Sequence, residues 1–317
     1  MTWTIREADN EPADLAAIVE VVNEVTPDDP SSVDEIRWAN ATYPGSVRFL
    51  AELDGRTIGV ATVGRIYMQP PEFDALWATI AVRFEARRLG IGTGLLDAVS
   101  TQARKNGKGW LHIPATEARP EGIDFLLNRG FGEYERARMV RLDLRALAVP
   151  EAAALAGVVL TTLAARLDLV PAVHRVALEA IPDIPGGGEP DAVGDLPEFR
   201  ARDVDRPGIP HEAFMVALDE TNGRVIGYAS LILQPGSHLI AWHDMTAVDR
   251  EWRGRGVAGA LKRATIRWAI NNGLDALETG NDLDNAPMRA VNARLGYRAQ
   301  PDQLTMRGRP FGGMMER

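Results

Sequence analysis

The chain has no cysteine. That excludes disulfides, thiolate nucleophiles and zinc–thiolate centres, and it leaves the redox compartment open. Histidine is scarce as well: five in 317 residues, without ligand-like spacing, give no basis for a metal site. No apolar run approaches the ~18 residues of a membrane span, and the polar opening "MTWTIREADNEP" lacks the apolar stretch of a signal peptide. The expectation is a cytoplasmic protein without a membrane partner. Positive charge is in the minority, 35 basic against 44 acidic side chains, and the net charge of −9 would repel the phosphates of a nucleic-acid partner. The rest of the composition, 45% hydrophobic and 25% charged, is that of an ordinary folded protein.

What the chain does contain is one plan written twice. The stretch "FEARRLGIGTGLL" (Phe84–Leu96) returns as "REWRGRGVAGALK" (Arg250–Lys262) at an offset of 166 residues, which also carries Val82 onto Val248 and Gly130 onto Gly296. Upstream, "FLAELDGRTIGVATV" from Phe49 matches "FMVALDETNGRVIGYASL" from Phe214, with three residues inserted at the turn. A period of this length is a tandem domain and not a solenoid. The chain divides into residues 1–150 and 151–317, with "RALAVPEAAALAG" as a connector.

Each copy reads as strand, helices, hairpin, strand, glycine turn, helix, strand, helix and closing strands. "PADLAAIVEVVNEV" is a helix begun near Pro12, with Leu15, Ile18, Val19 and Val22 at helical spacing. After the glycine turns the apolar stripes Ile91, Leu95, Ala98, Val99 and Val257, Ala260, Leu261, Ala264, Trp268 mark helices packed on a sheet. The second copy alone has "PDIPGGGEPDAVGD", a Gly/Pro-rich loop.

A strand, a glycine turn and a helix leave unpaired N–H groups at the positive end of a helix dipole, a natural phosphate cradle. Arg87 and Arg88, or Arg253 and Arg255, add positive charge there. Neither stretch is a Walker loop or a complete Rossmann fingerprint, which disfavours nucleotide hydrolysis and hydride transfer.

These residues resemble the GNAT superfamily of N-acetyltransferases, whose signature is [QR]-x-x-G-x-[GA] after a strand ending in valine. Arg87, Gly90 and Gly92 follow Val82, and Arg253, Gly256 and Ala258 follow Val248. The resemblance implies a mixed-sheet α/β fold in two similar domains, with acetyl-CoA as acyl donor. It implies that the turn backbone holds the pyrophosphate: Arg253, Gly254, Arg255, Gly256, Val257, Ala258 and Gly259 in the second copy, Arg87, Arg88, Gly90, Ile91, Gly92, Thr93 and Gly94 in the first. It further implies that the strand segment Thr246, Ala247, Val248 carries the pantetheine arm and offers a backbone N–H to the thioester oxygen.

The second copy continues with "LETGNDLDNAPMRAVNARLGY", in which Asn285 and position 292 have the family's asparagine-to-tyrosine spacing, but Asn292 stands where tyrosine is usual. An amide can bond a thiol or the pantetheine arm but is a poor acid. The first copy has Arg119 and Leu126 at these places, so the second is expected to be the catalyst and the first non-catalytic. A base for the incoming amine is sought among Asp244, His243 and Glu278. Adjacent strand residues face opposite sides, so His243 and Asp244 share a cleft only across a bulge. Asp244 is favoured; His243 also reads as a core histidine and Glu278 as a solvated strand end. Trp242, Trp252 and Trp268 read as packing, and "FGGMMER" as a tail.

Direct transfer of acetyl to a primary amine of a small molecule in a ternary complex is thus expected, the acidic net charge suiting a cationic acceptor. A non-catalytic acyl-CoA sensor is the alternative. Either a monomer or a homodimer fits.

Overall fold

The structure is a computed structural model describing residues 2–151, 155–184, 191–236 and 239–312. Residues 185–190 of the Gly/Pro loop and 313–317 of the tail lie outside the described residues. Two compact units are present, Met1–Arg136 with Gln303–Arg317, and Ala137–Asp302.

In chain order the first unit contains β1 (Thr4–Glu7), α1 (Pro12–Val25), α2 (Val33–Thr42), β2 (Val47–Leu53), β3 (Arg56–Gly64), β4 (Ala75–Val82), α3 (Ile91–Lys105), β5 (Trp110–Thr116) and α4 (Pro120–Leu127). The chain leaves along β6 (Gly132–Asp143) and forms β7 (Val158–Thr162), α5 (Val170–Ala180), α6 (Leu196–Asp203), β8 (Met215–Asp219), β9 (Val225–Leu233) and β10 (Ile240–Val248). It continues as α7 (Val257–Asn271), β11 (Ala276–Asp282), α8 (Ala286–Arg294), β12 (Arg298–Ala299) and β13 (Gln303–Gly308).

The sheets run β1-β2-β3-β4-β5-β13 in the first unit and β7-β8-β9-β10-β11-β6 in the second. All neighbours are antiparallel except β4 with β5 and β10 with β11. A cut near Pro150 separates the two sequence copies, whereas the compact units follow a different line. β6 follows the first copy's last helix yet pairs with β11, and β13 ends the second copy yet pairs with β5. The connector belongs to the second unit, where both Arg267 nitrogens Nε and Nη2 donate to the Pro150 carbonyl.

Helices cover both faces of each sheet. In the first unit α3 buries Ile91, Leu95, Leu96 and Val99 against Ala61, Leu111 and Ile113, while α1 buries Leu15, Ile18, Val21 and Val25 against Leu50 and Val60. The α1 stripe is rotated slightly from its sequence reading, with Val19 and Val22 at the margin. In the second unit α7 buries Val257 and Leu261 against Ile226 and Ala229, and Ile266 and Ala269 against Leu231 and Leu277. Glycine permits this close seating: a Cβ on Gly227 would stand 2.8 Å from the Ala247 carbonyl oxygen and 3.2 Å from Leu261, and one on Gly59 3.2 Å from both the Ala81 oxygen and Ile91.

Candidate active site

Gly90 and Gly256 are the N-caps of α3 and α7, in the left-handed region at φ 86° and 88°. Neither helix start receives a side-chain cap, so its first N–H groups are left for another acceptor. The position two residues earlier is left-handed as well, Arg88 at φ 66° in the first unit and Gly254 at φ 74° in the second. The strained residue is thus relaxed to glycine in the second copy alone.

The signature arginines do a structural job. Arg87 Nε donates to the Val82 carbonyl at 3.2 Å and Arg253 Nε to the Val248 carbonyl at 3.0 Å, fastening strand end to turn identically in both units. Each also meets a carboxylate, Glu121 at 3.0 Å and Asp183 at 2.9 Å. Arg255 stacks 5.0 Å over Trp252 and has no ion pair among the described residues, which makes it the cation available beside the second turn.

Beyond the turn each sheet opens. β4 and β5 pair only from Ala75/Trp110 to Trp77/His112, and β10 and β11 only from Ile240/Ala276 to Trp242/Glu278. Both strands of each pair run on past that point, so a wedge widens toward the glycine turn. Backbone groups of β10 that would face β11 have no ladder partner there.

Here the units part. β4 keeps an unbroken ladder to β3 from Trp77 to Val82. β10 carries a bulge: His243 pairs with Leu231 and Thr246 with Ala229, so Asp244 and Met245 together oppose Ser230. Counted from the last parallel pair, Trp242 therefore matches Trp77 and His243 matches Ala78, one residue off the 166 offset that holds at the strand end.

On the α7 side of the second sheet lies a buried polar cluster. The Tyr297 hydroxyl and His243 Nδ1 are 2.7 Å apart, and Thr265 Oγ1 is 3.0 Å from His243 Nε2. Lys262 is buried with its ammonium 5.4 Å from the Tyr297 ring. Asn292 Nδ2 donates to Asn281 Oδ1 at 2.6 Å, while Asn292 Oδ1 and Thr246 Oγ1, both buried, have no partner among the described residues. Burial, with Lys262 nearby, pushes the His243 imidazole well below its usual range, and burial pushes Lys262 down to about 7. His243 is thus enclosed in the core with both nitrogens engaged.

Asp244 takes the opposite direction, toward β9 and α6. Ser230 Oγ donates to its Oδ2 at 3.3 Å, and burial raises its carboxyl above the usual range, opposed by the Met245 amide, Arg206, Ser230 and Arg202. Asp203 at the end of α6 is raised to about 6 by burial, against the pull of Arg202. The bulge therefore does not bring His243 and Asp244 into one cleft. Glu278 is paired with Arg141 of β6. Asn285 serves as N-cap of α8, its Oδ1 accepting from the Met288 N–H at 3.3 Å.

Reading by sequence missed Asp203, Ser230, Lys262, Thr265 and Tyr297. The available signal was the comparison of copies, since Lys262, Thr265, Asn292 and Tyr297 fall on Leu96, Val99, Leu126 and Phe131, all core residues of the first unit. Trp252 and Trp268 pack in the core, and Trp242 lies over Gly280. In the first unit α4 closes on the start of α3: Arg129 Nη2 donates to Thr93 Oγ1 at 2.7 Å, and Phe125 would meet a Cβ on Gly92 at 3.3 Å. Arg119 is paired with Asp28 at 2.6 Å.

A mixed sheet that splays between two parallel strands, facing an uncapped glycine-headed helix, defines the class as an N-acetyltransferase. The chain belongs to the acetyltransferase (GNAT) family, whose model matches residues 15–131 and again 179–297. It is similar to a mycothiol acetyltransferase of Rhodococcus jostii, 25% identical over 302 residues that cover 93% of this chain and 94% of that one. One from Pseudarthrobacter chlorophenolicus is 26% identical over 222 residues, 69% of this chain and 65% of the relative. Among solved structures, a tandem GNAT protein from the clavulanic acid biosynthesis pathway has a TM-score of 0.77 at 19% identity, covering 98% of this chain and 100% of its own. A GCN5-related N-acetyltransferase from Sphaerobacter thermophilus has 0.73 at 16%, covering 98% and 97%. At such identities the structural likeness speaks for the fold. Among the described residues no helix is long and apolar enough to cross a membrane, and no cluster of three or more metal-ligating side chains occurs.

Proposed function

We propose that the protein is an acetyl-CoA-dependent N-acetyltransferase that passes acetyl directly to a primary amine of a small molecule in a ternary complex, and that the second unit performs the chemistry. The observation that carries this reading is the bulge in β10, which takes Asp244 and Met245 out of the ladder at the mouth of the wedge. β4 has no such irregularity.

The residues of the second unit suit acetyl-CoA. The N–H groups of the α7 start, with Arg255, would hold the pyrophosphate. Thr246 Oγ1 and Asn292 Oδ1, buried acceptors without partners among the described residues, would receive the N–H groups of the pantetheine arm. Bound acetyl-CoA supplies an acetyl group activated as a thioester. The unpaired β10 backbone beyond Trp242 would polarise the thioester oxygen.

Asp244 acts as base for the amine. An alkyl ammonium has a pKa near ~10 and must lose a proton before attack, so a carboxyl raised by burial is better matched to the task than an ordinary one. The activity should rise with pH as Asp244 ionises. His243 has no role as base in this scheme, because its nitrogens are committed to Tyr297 and Thr265.

Thiol release from acetyl-CoA, followed across a library of small primary amines, tests the reading. Amine-dependent release that is lost in Asp244→Asn supports it. Tight acetyl-CoA binding without turnover on any amine would favour a sensor instead.

A further inference from the structure

A buried lysine without a counter-ion needs an explanation. Lys262 is 1% exposed, and no carboxylate lies within ion-pair reach of it among the described residues. The titratable groups that face it are His243 from β10 and Tyr297 from the segment after α8. The same fold elsewhere in the chain does without such a group, for Leu96 occupies the matching place and packs within an apolar cluster. Packing therefore does not require Lys262, and burying an ammonium opposes folding.

Its location points to the wedge. α7 runs antiparallel to β10, because the two are joined through the glycine turn and β11 returns parallel to β10. Thr265 stands over His243. Lys262 is three residues earlier on the same helix face, roughly 4.5 Å nearer the turn, and long helical side chains lean further that way. That places it over the bulged segment Asp244–Thr246, where β10 has already left β11. Tyr297, whose ring the ammonium faces at 5.4 Å, belongs to the same buried cluster as Leu277 of β11, the strand on the far side of the wedge.

We infer that Lys262 is the proton donor to the departing thiolate of CoA, in the place of the tyrosine that position 292 lacks. The inference rests on the transferase reading above. As the C–N bond to the amine forms and the C–S bond breaks, the C–S electron pair goes to sulfur. Lys262 Nζ gives sulfur a proton and becomes neutral, while the amine's two surplus protons leave through Asp244 to water, from which Lys262 is recharged. With its ammonium pushed down to about 7, Lys262 gives its proton to a thiolate (pKa about 8.5) more readily than an ordinary lysine would. Thr265 Oγ1 links the two elements, 3.0 Å from His243 Nε2 on β10 and 2.9 Å from the Lys262 carbonyl on α7.

The test uses the full chain and Lys262→Met. Expected are a kcat lower by about 10–100-fold, an unchanged KM for acetyl-CoA, loss of the fall in kcat above neutral pH, and a higher Tm. Adding Asn292→Tyr to Lys262→Met should recover part of kcat. Independently of turnover, the titration of the Lys262 ammonium near pH 7, followed by NMR, should shift when CoA binds and not when desulfo-CoA binds, since only CoA sets a thiol beside it. A kcat within twofold of wild type with the same pH profile overturns the inference. So does a Lys262 titration that is the same with CoA and with desulfo-CoA. Should Lys262→Met not fold, a wild-type kcat that does not fall above neutral pH overturns it as well. A wild type that releases no thiol with any amine counts against the transferase reading, and the CoA titration then decides the role of Lys262 by itself.

Discussion

Ala78, Leu96, Val99, Ile113, Leu126 and Phe131 form one continuous apolar layer in the first unit. The matching positions of the second unit are His243, Lys262, Thr265, Thr279, Asn292 and Tyr297, and all are buried. The two layers occupy the same place in the same fold, so the fold itself demands nothing polar there. The exchange costs stability, through an ammonium and an amide oxygen that have no partner among the described residues, and it occurs beside one wedge only. A duplicated chain thereby contains its own control, and the polar layer is what sets the second unit's core apart from the first's.

The sharpest way to break that comparison is to make β10 resemble β4. Deleting Met245 should restore an even ladder with β9, leave the chain folded by circular dichroism, and lower kcat by at least ~10²-fold through loss of the preorganised backbone and carboxylate. Asp244→Asn should cost about 10²–10⁴-fold in kcat/KM at neutral pH and abolish the acidic limb of the rate profile.

Next in size is a test of the two turns. Gly256→Val forces a β-branched residue to φ 88°, at a cost of about 1–2 kcal/mol or more, and should weaken acetyl-CoA binding by at least tenfold in calorimetry. Gly90→Val should leave turnover unchanged, and the wild type should bind one CoA per chain, since α4 of the first unit already holds the α3 start through Arg129 and Phe125. Two equivalent CoA sites per chain would erase this distinction.

Smaller still is the stability effect of Lys262. Unfolded, it keeps its proton to about 10.5; folded, it loses it above about 7. The unfolded chain thus binds more protons between those values, and stability rises with pH across that window by on the order of a few kcal/mol. Urea titrations of Lys262→Met should lack that rise. The least effect is expected for Arg255→Ala, a few-fold weaker acetyl-CoA binding that fades with added salt, because its cation is exposed to screening.

The repeat, the glycine turns and the helical stripes were legible because each follows from local rules of periodicity and backbone conformation. Sequence placed Gly90 and Gly256 at helix starts by that route, and the structure has them there. The bulge was not legible. Inserting one residue leaves the aligned strand ends in register, and only the pairing of Trp242 with Glu278 reveals where the count changes. The direction of the signature arginines was hidden too, because charge near a phosphate cradle reads the same whether it faces a ligand or, like Arg253, a strand-end carbonyl. Lys262 escaped notice because one cation inside an apolar stripe passes for a helix edge until its counterpart Leu96 is seen to be core.

One consequence concerns how the chain can be divided. Since β6 completes the second sheet and β13 the first, each sequence copy ends in a strand that the other unit uses. A fragment stopping at Pro150 would expose the edge of β5 and carry a homeless β6, and residues 151–317 would have the reverse defect. Expressed separately, both pieces should be insoluble; expressed together, they should associate. Each copy thus lends its closing strand to the sheet of the other.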